Sequence, residues 1–299
     1  VLFRSVYLTI DGETSERHSL EIAEIKPPEA VQIIKFVPYV GKIKLVWNVS
    51  EKADGYVLSY SDTNDDKYKT LKNINSPGTV TYSHKTSKAS VKYRIRAYIV
   101  RDGEKIYSEY SDIVTAGTLP DQVQNLTATE LASGKTKFTW EAMDGTDGYV
   151  LYESSDGGST WTSIKTLEGT RTDYKVGLKT EDRIYRARAF RIFEGKKYFG
   201  NYSESVKVYV KPEAPAKLEV TSVSEKKDKL SWDAVSGVDG YILSRSADGK
   251  TYSVLKTFTD GFTDSYTATL SEGIRYLYRI CSYRLVDGLK IRSGVTQGQ

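Results

Sequence analysis

Three tryptophans in step constrain this chain more than any other feature. Trp47, Trp140 and Trp232 lie 93 and 92 residues apart, and each is followed nine residues later by the Tyr of an Asp-Gly-Tyr: Tyr56, Tyr149 and Tyr241. A period near 92 residues is too long for a solenoid repeat and is about the length of one β-sandwich. The 299 residues are therefore expected to form three sandwiches in line, 29–118, 119–210 and 211–299, after a remnant of an earlier one at 1–28. A unit of this size buries only about 60% of its unfolded surface, which gives a small but self-sufficient core.

Prolines mark the joints. Pro27–Pro28, Pro120, and Pro212 with Pro215 recur at the same period, where a residue without a backbone donor ends one sheet and stiffens entry to the next. Between them the pattern alternates with period 2, and no 3.6-residue periodicity stands out. Lys42–Trp47, Lys135–Trp140 and Lys227–Trp232 are one strand written three times. A later strand reads Tyr93-Arg94-Ile95-Arg96-Ala97-Tyr98, Tyr185-Arg186-Ala187-Arg188-Ala189-Phe190 and Tyr278-Arg279-Ile280-Cys281-Ser282-Tyr283. Alternation turns Tyr, Ile or Ala inward and the Arg rows outward. Cys281 then takes an outward Arg position and reads as an incidental free thiol. Asp102–Gly103, Glu194–Gly195, Asp287–Gly288 and Asp11–Gly12 have the chemistry of two-residue hairpin turns, where both central residues need φ > 0.

The early-strand Trp, the Gly-Tyr strand, the Tyr-x-x-Arg strand and the Tyr-Ser last strand (Tyr107-Ser108-Glu109-Tyr110-Ser111) together resemble fibronectin type III domains. The likeness extends to the arrays of secreted and cell-surface proteins of Gram-positive gut bacteria. It covers nearly the whole chain and implies an all-β fold of tandem immunoglobulin-like sandwiches, with the last two strands of a preceding one at the start. The family's tyrosine corner fits at Tyr276 but falls on Val91 and Arg183 in the other two copies. The loop between the last two strands, which animal members use for receptors, is here a two-residue turn without Arg-Gly-Asp.

Both ends read as cut. Val1-Leu2-Phe3-Arg4-Ser5 back-translates to the end of a common sequencing adapter, so residues 1–5 are expected to be artefactual. Gln299 falls within or just past the third domain's last strand, which is expected to be truncated.

Composition excludes more than it assigns. Net charge is +4 with both signs interspersed, and no basic run suggests nucleic acid. No apolar stretch approaches the ~20 residues of a membrane helix. The single Cys281 rules out an internal disulfide and any cysteine-based zinc site. With only His18 and His84, and neither beside a nucleophile, the expectation is no catalytic residue, no cofactor and no metal. Asp62–Asp66 begins like a calcium loop, yet Lys67 replaces the Gly and Asn73 the bidentate Glu, so a polar turn is expected. Ser154–Trp161 fits the Asp-box turn pattern, with Ser246–Tyr252 its shorter counterpart, and marks a turn without chemistry. Glu225–Lys229 reads as a self-neutralising solvated turn, and the sequons at Asn48, Asn125 and Asn201 as chance.

The candidate contact residues are aromatic. Tyr107, Tyr198, Phe199 and Tyr202 cluster near one hairpin and the strand after it, where rings can stack on sugars. The resulting reading is a non-catalytic spacer or adhesion array of an extracellular bacterial protein, with no nucleic-acid partner and no membrane insertion. Two alternatives stand beside it: a module binding a cell-wall or host glycan or protein through Tyr/Arg faces, and an accessory region of a larger carbohydrate-active enzyme.

Overall fold

A computed structural model describes residues 25–63 and 66–298 in full, and residues 3–6, 9–10, 13–14 and 18–21 by their backbone. In that first stretch β1 (Phe3–Val6) pairs antiparallel with β4 (His18–Glu21), and β2 (Thr9–Ile10) with β3 (Glu13–Thr14). Asp11–Gly12, between β2 and β3, lies outside the described residues.

Every further element is a strand. The first sandwich comprises β5 (Ile33–Tyr39), β6 (Lys42–Trp47), β7 (Gly55–Ser61), β8 (Lys69–Ile74), β9 (Thr81–Lys85), β10 (Val91–Arg101), β11 (Glu104–Tyr107) and β12 (Val114–Ala116). Its sheets run β5-β6-β9 and β8-β7-β10-β11, with β12 continuing against the start of β10. The second repeats this plan in β13 (Thr127–Glu130), β14 (Thr136–Thr139), β15 (Gly148–Ser154), β16 (Thr162–Glu168), β17 (Asp173–Val176), β18 (Arg183–Phe193), β19 (Lys196–Phe199) and β20 (Val206–Val208). The third uses β21 (Leu218–Ser224), β22 (Lys227–Trp232), β23 (Gly240–Ser246), β24 (Ser253–Phe258), β25 (Ser265–Thr269), β26 (Leu277–Val286), β27 (Leu289–Arg292) and β28 (Thr296–Gln297). A three-stranded sheet facing a five-stranded one whose last two strands share one edge of the long strand, all antiparallel, is the immunoglobulin-like sandwich the repeat predicts.

Asp-Gly-Tyr has a physical reason at each position. The Asp carboxylates of Asp54, Asp147 and Asp239 accept the backbone N–H of Val100, Ile192 and Leu285 at 2.6, 2.7 and 2.6 Å, tying the loop to the long strand. A Cβ at Gly148 would lie 2.3 Å from the Leu167 carbonyl oxygen and against the Phe190 ring, and Gly55 and Gly240 are equally crowded. Tyr56, Tyr149 and Tyr241 are buried against the tryptophans, with ring centroids 5.9, 5.5 and 5.6 Å apart. The Tyr149 and Tyr241 hydroxyls accept the N–H of Met143 and Val235 at 2.9 and 2.8 Å, and that of Tyr56 donates to the Pro77 carbonyl. The three indole N–H groups find no acceptor, so each Trp acts as a purely apolar anchor.

The hairpin turns take the backbone their residues predict: φ is positive at Asp102 and Gly103, Glu194 and Gly195, and Asp287 and Gly288. Two expectations need correction. Asp228 does not belong to a solvated turn; it lies in β22, 9% exposed, and accepts the Tyr278 hydroxyl at 3.1 Å. Tyr276 does not close a tyrosine corner onto backbone; its hydroxyl meets the Ser271 Oγ at 3.1 Å.

Candidate functional site: arginine–aromatic faces and interdomain joints

The Arg rows face outward from β10 and β18, but they are not simply solvated. Arg94 stacks on Tyr68 and Tyr110, 4.0 and 3.8 Å from the ring centroids, and Arg96 on Tyr107 and Tyr110 at 3.7 and 4.7 Å. In the second domain Arg186 meets Trp161 and Tyr202 at 4.0 and 3.5 Å, and Arg188 meets Phe199 and Tyr202 at 3.9 and 4.7 Å. Each face is thus one column of alternating rings and guanidinium planes. Every such contact contributes about 0.5–2 kcal/mol as it loses water. The Nε atoms of Arg94, Arg96 and Arg186 are buried without a hydrogen-bond acceptor, so ring faces replace the solvent they lost.

The Tyr-Ser strand builds the column. Ser108 and Ser111 Oγ accept the N–H of Ala97 and Ile95 at 2.9 and 3.0 Å, and Ser203 Oγ accepts that of Ala187 at 2.9 Å. These serines take the place of ladder bonds where the strand leaves the sheet, which swings Tyr107, Tyr110 and Tyr202 over the Arg row. The Asp box supplies the far rung: Asp156 accepts the Thr160 N–H at 2.8 Å, and Trp161 Nε1 donates to the Gly158 carbonyl at 2.8 Å beneath Arg186.

The third domain lacks this column past its first pair, Arg279 on Tyr252 at 3.7 Å. Cys281, Arg292 and Val295 occupy the places of Arg96, Tyr107 and Tyr110. Cys281 is correctly placed on the outward side, yet it is only 7% exposed, covered with Ile242 and Tyr283, and burial pushes its thiol pKa up. A stacked face shelters what lies beneath it, so outward does not mean wet.

The four candidate aromatics therefore separate. Phe199 and Tyr202 share one column, Tyr107 stands in the equivalent column of the preceding domain, and Tyr198 goes elsewhere. Tyr198 lies at the first joint, with Phe36 of the first domain 6.0 Å and Phe193 5.7 Å away; Phe36 and Phe193 meet edge-on at 5.8 Å. Phe193, a second-domain residue, is buried in the first domain's core cluster.

Beside it Arg191 is 7% exposed. Its Nε donates to the Gly145 carbonyl at 2.7 Å, while Nη1 reaches back to the Thr118 carbonyl and hydroxyl at 2.5 and 2.9 Å. Arg284, at the same register position, does this at the second joint: Nε and Nη2 donate to the Val210 carbonyl at 2.9 and 2.7 Å, and Nη2 pairs with Asp182. Motif reading missed both. Their signal was parity, since alternation from Tyr185 and Tyr278 puts Arg191 and Arg284 on the inward side, where a cation needs a partner.

The second joint is the polar one. Lys207 Nζ and the Tyr209 hydroxyl donate to Asp287 at 2.5 and 3.0 Å, and Asp182 also accepts the Val210 N–H at 2.8 Å. Burial opposes ionisation of Asp182, but its hydrogen bonds from Arg284 and Val210 outweigh this and hold its pKa below the ordinary 3.8; the Lys207 hydrogen bond lowers that of Asp287. Depressed carboxylate values mean that their contribution is complete above pH ~3.8 and is lost as pH falls through the lowered values. Interdomain distances across the second joint should broaden below pH 3.8 and in molar salt, while those across the first hold. Spin-label distance measurements check this, and equal broadening at both joints would contradict it.

Elsewhere the possible chemistry is used structurally. His84 Nδ1 is hydrogen-bonded to the Tyr93 hydroxyl at 2.8 Å, and its pKa is lowered by burial. Asp66 pairs with Lys92 at 2.7 Å, while Asn64 and Asp65 of the calcium-like segment lie outside the described residues. Among the described residues no cluster of three or more His, Cys, Asp or Glu is arranged to hold a metal, and no helix is long and apolar enough to cross a membrane.

No family model matches the chain. Among the solved structures similar to it are two fibronectin type III segments. The FN1-FN3 domains of chicken CNTN1 share 14% identity over 91% of this chain and 97% of theirs, with a TM-score of 0.32. A two-domain fibronectin type III segment of chicken tenascin shares 16% identity over 62% of this chain and all of its own length, with a TM-score of 0.38. The fold class rests on the strand order and register described above: tandem all-β immunoglobulin-like sandwiches.

Proposed function

We propose that this chain is a spacer segment of an extracellular, bacterial surface protein, in which the modules 29–118, 119–210 and 211–299 hold fixed angles to one another and carry no catalytic chemistry of their own. The observation behind this reading is the repeated guanidinium clamp. Arg191 and Arg284 occupy equivalent positions, and each donates to a carbonyl near the end of the preceding module. A flexible string of beads would leave those carbonyls to water. The extracellular and bacterial setting is supported by the sequence resemblance alone.

The aromatic candidates fit the same reading. Tyr202 lies against both Arg186 and Arg188, so its ring faces are engaged internally and not presented to a sugar. A glycan array probed with residues 29–299 should show no binding tighter than about 1 mM. Spin labels on the outer modules should report a single narrow distance distribution. A broad one would refute the spacer reading, and micromolar glycan binding abolished by Tyr202→Ala in a folded protein would replace it with recognition.

A further inference from the structure

The first sandwich carries a charge pattern its siblings lack. On the outward face of its three-stranded sheet, alternation places Lys35 of β5, Lys42 and Lys44 of β6, and Lys85 of β9. No acidic residue occurs in any of these three strands. None of the four lysines makes an ion pair among the described residues. Lys42 and Lys85 lie directly opposite each other, an arrangement that destabilises an antiparallel pair.

The siblings put a carboxylate on this face. Asp173 stands there in the second domain, 3.7 Å from Lys137, and Glu219 in the third, paired with Lys217. Lysine guards sheet edges against pairing with another chain, which accounts for Lys35 and Lys85 on the outer strands. Lys42 and Lys44 stand on the middle strand, where there is no edge to guard. The face is left with a positive charge that the fold does not require.

The spacing fits a chain of anions. Lys42 and Lys44 are about 6.6 Å apart along their strand, and the four lysines span about 13 Å of sheet. All four are Lys, a compact charge with rotatable donors that meets a phosphate oxygen from any side, whereas a planar carboxylate is matched by the Arg fork. The one aromatic on the face, Tyr39, is engaged by the Lys42 ammonium 4.9 Å from its centroid, so the face offers no row of rings to stack nucleobases. Asp121 and Asp144 of the second domain line the cleft beside Val40 and Gly41 and mark where the positive track ends.

We propose that this face binds a linear phosphate polymer without bases, lying across β5, β6 and β9. The contact runs along the side of the array and needs neither interdomain joint, so it stands apart from the spacer reading.

The test titrates the 299-residue protein into fluorescein-labelled inorganic polyphosphate, read by fluorescence anisotropy, in salt from about 50 to 200 mM. A Kd of about 10–100 μM is expected at the lower salt. The log of the association constant should fall with log salt at a slope of about −3, or about 50-fold across the range, because each charge neutralised on a flexible strand contributes about −0.7. Lys42→Gln with Lys85→Gln removes two of the four charges and should halve the slope. It also removes the opposed pair, so the first domain should melt no lower than in wild type, which separates lost binding from lost fold. Lys35→Gln with Lys44→Gln should halve the slope as well, and gives the same readout should the first pair fail to fold. Lys137→Gln with Lys175→Gln, on the equivalent face of the second domain, should leave it unchanged. No binding at about 1 mM, an unchanged slope in the first-domain variants, an equal fall in the second-domain control, or tighter binding of a single-stranded thymidine oligonucleotide than of polyphosphate would each overturn the proposal.

Discussion

Replacing Trp140 with Ala is expected to unfold the second domain and to lower the melting temperature of the first with it. Trp140 is 6% exposed in the middle of its core cluster, and truncation of a buried large aromatic costs about 3–5 kcal/mol. A domain of this size has only about 5–15 kcal/mol in total, so the loss takes a large share of it. The first domain is affected because Phe193 and Tyr198 belong to the second domain's chain but pack against Phe36, within the first domain's core. Once β18 and β19 melt, that cover goes with them. Trp232→Ala should behave differently. The second joint is bridged by exposed or half-exposed polar groups, which contribute little once solvent replaces them. Its effect should stay within the third domain. Calorimetry on the whole chain separates the cases: a first-domain transition indifferent to Trp140→Ala would mean the aromatic joint is contact without coupling.

Arg191→Ala is expected to release the first joint without unfolding either domain. The wild-type guanidinium satisfies the carbonyls of Gly145 and Thr118 and the Thr118 hydroxyl in a place almost closed to water. Each acceptor left unsatisfied costs about 1–3 kcal/mol, less where water follows the side chain out. A joint weakened by about 3 kcal/mol leaves the Phe36–Phe193–Tyr198 contact and the Leu119 N–H to Tyr39 carbonyl bond to hold the two modules. Arg191→Lys should recover little, because one ammonium cannot reproduce a planar fork aimed at two domains. Arg284→Ala should cost about 1 kcal/mol or less, since that pair is partly exposed. Spin-label distances across each joint give the readout. Unchanged distances in Arg191→Ala would assign rigidity to the rings and not to the clamp.

The repeat of Trp and Asp-Gly-Tyr, the period-2 strands and the Asp-Gly turns were enough to specify three sandwiches. Those features act within one strand or between strands adjacent in sequence, and each is written where it operates. Asp54, Gly55 and Tyr56 serve the strand they open, and φ > 0 at Asp102 and Gly103 is a property of those residues themselves. Alternation also assigned the Arg rows and Cys281 to the outward side correctly. What covers that side came from elsewhere: Tyr68 and Tyr110 on Arg94, and Trp161 and Tyr202 on Arg186, are rings delivered by other strands and loops. The joints lie further still from local pattern. Arg191 finds its acceptor 73 residues away and Arg284 finds its own 74 residues away, in the preceding domain. Tyr198 looked like part of one sugar platform because it adjoins Phe199 and Tyr202 in sequence, yet successive residues on a strand point to opposite faces. Only the tertiary structure decided that one face meets a neighbouring domain while the other meets the domain's own arginines.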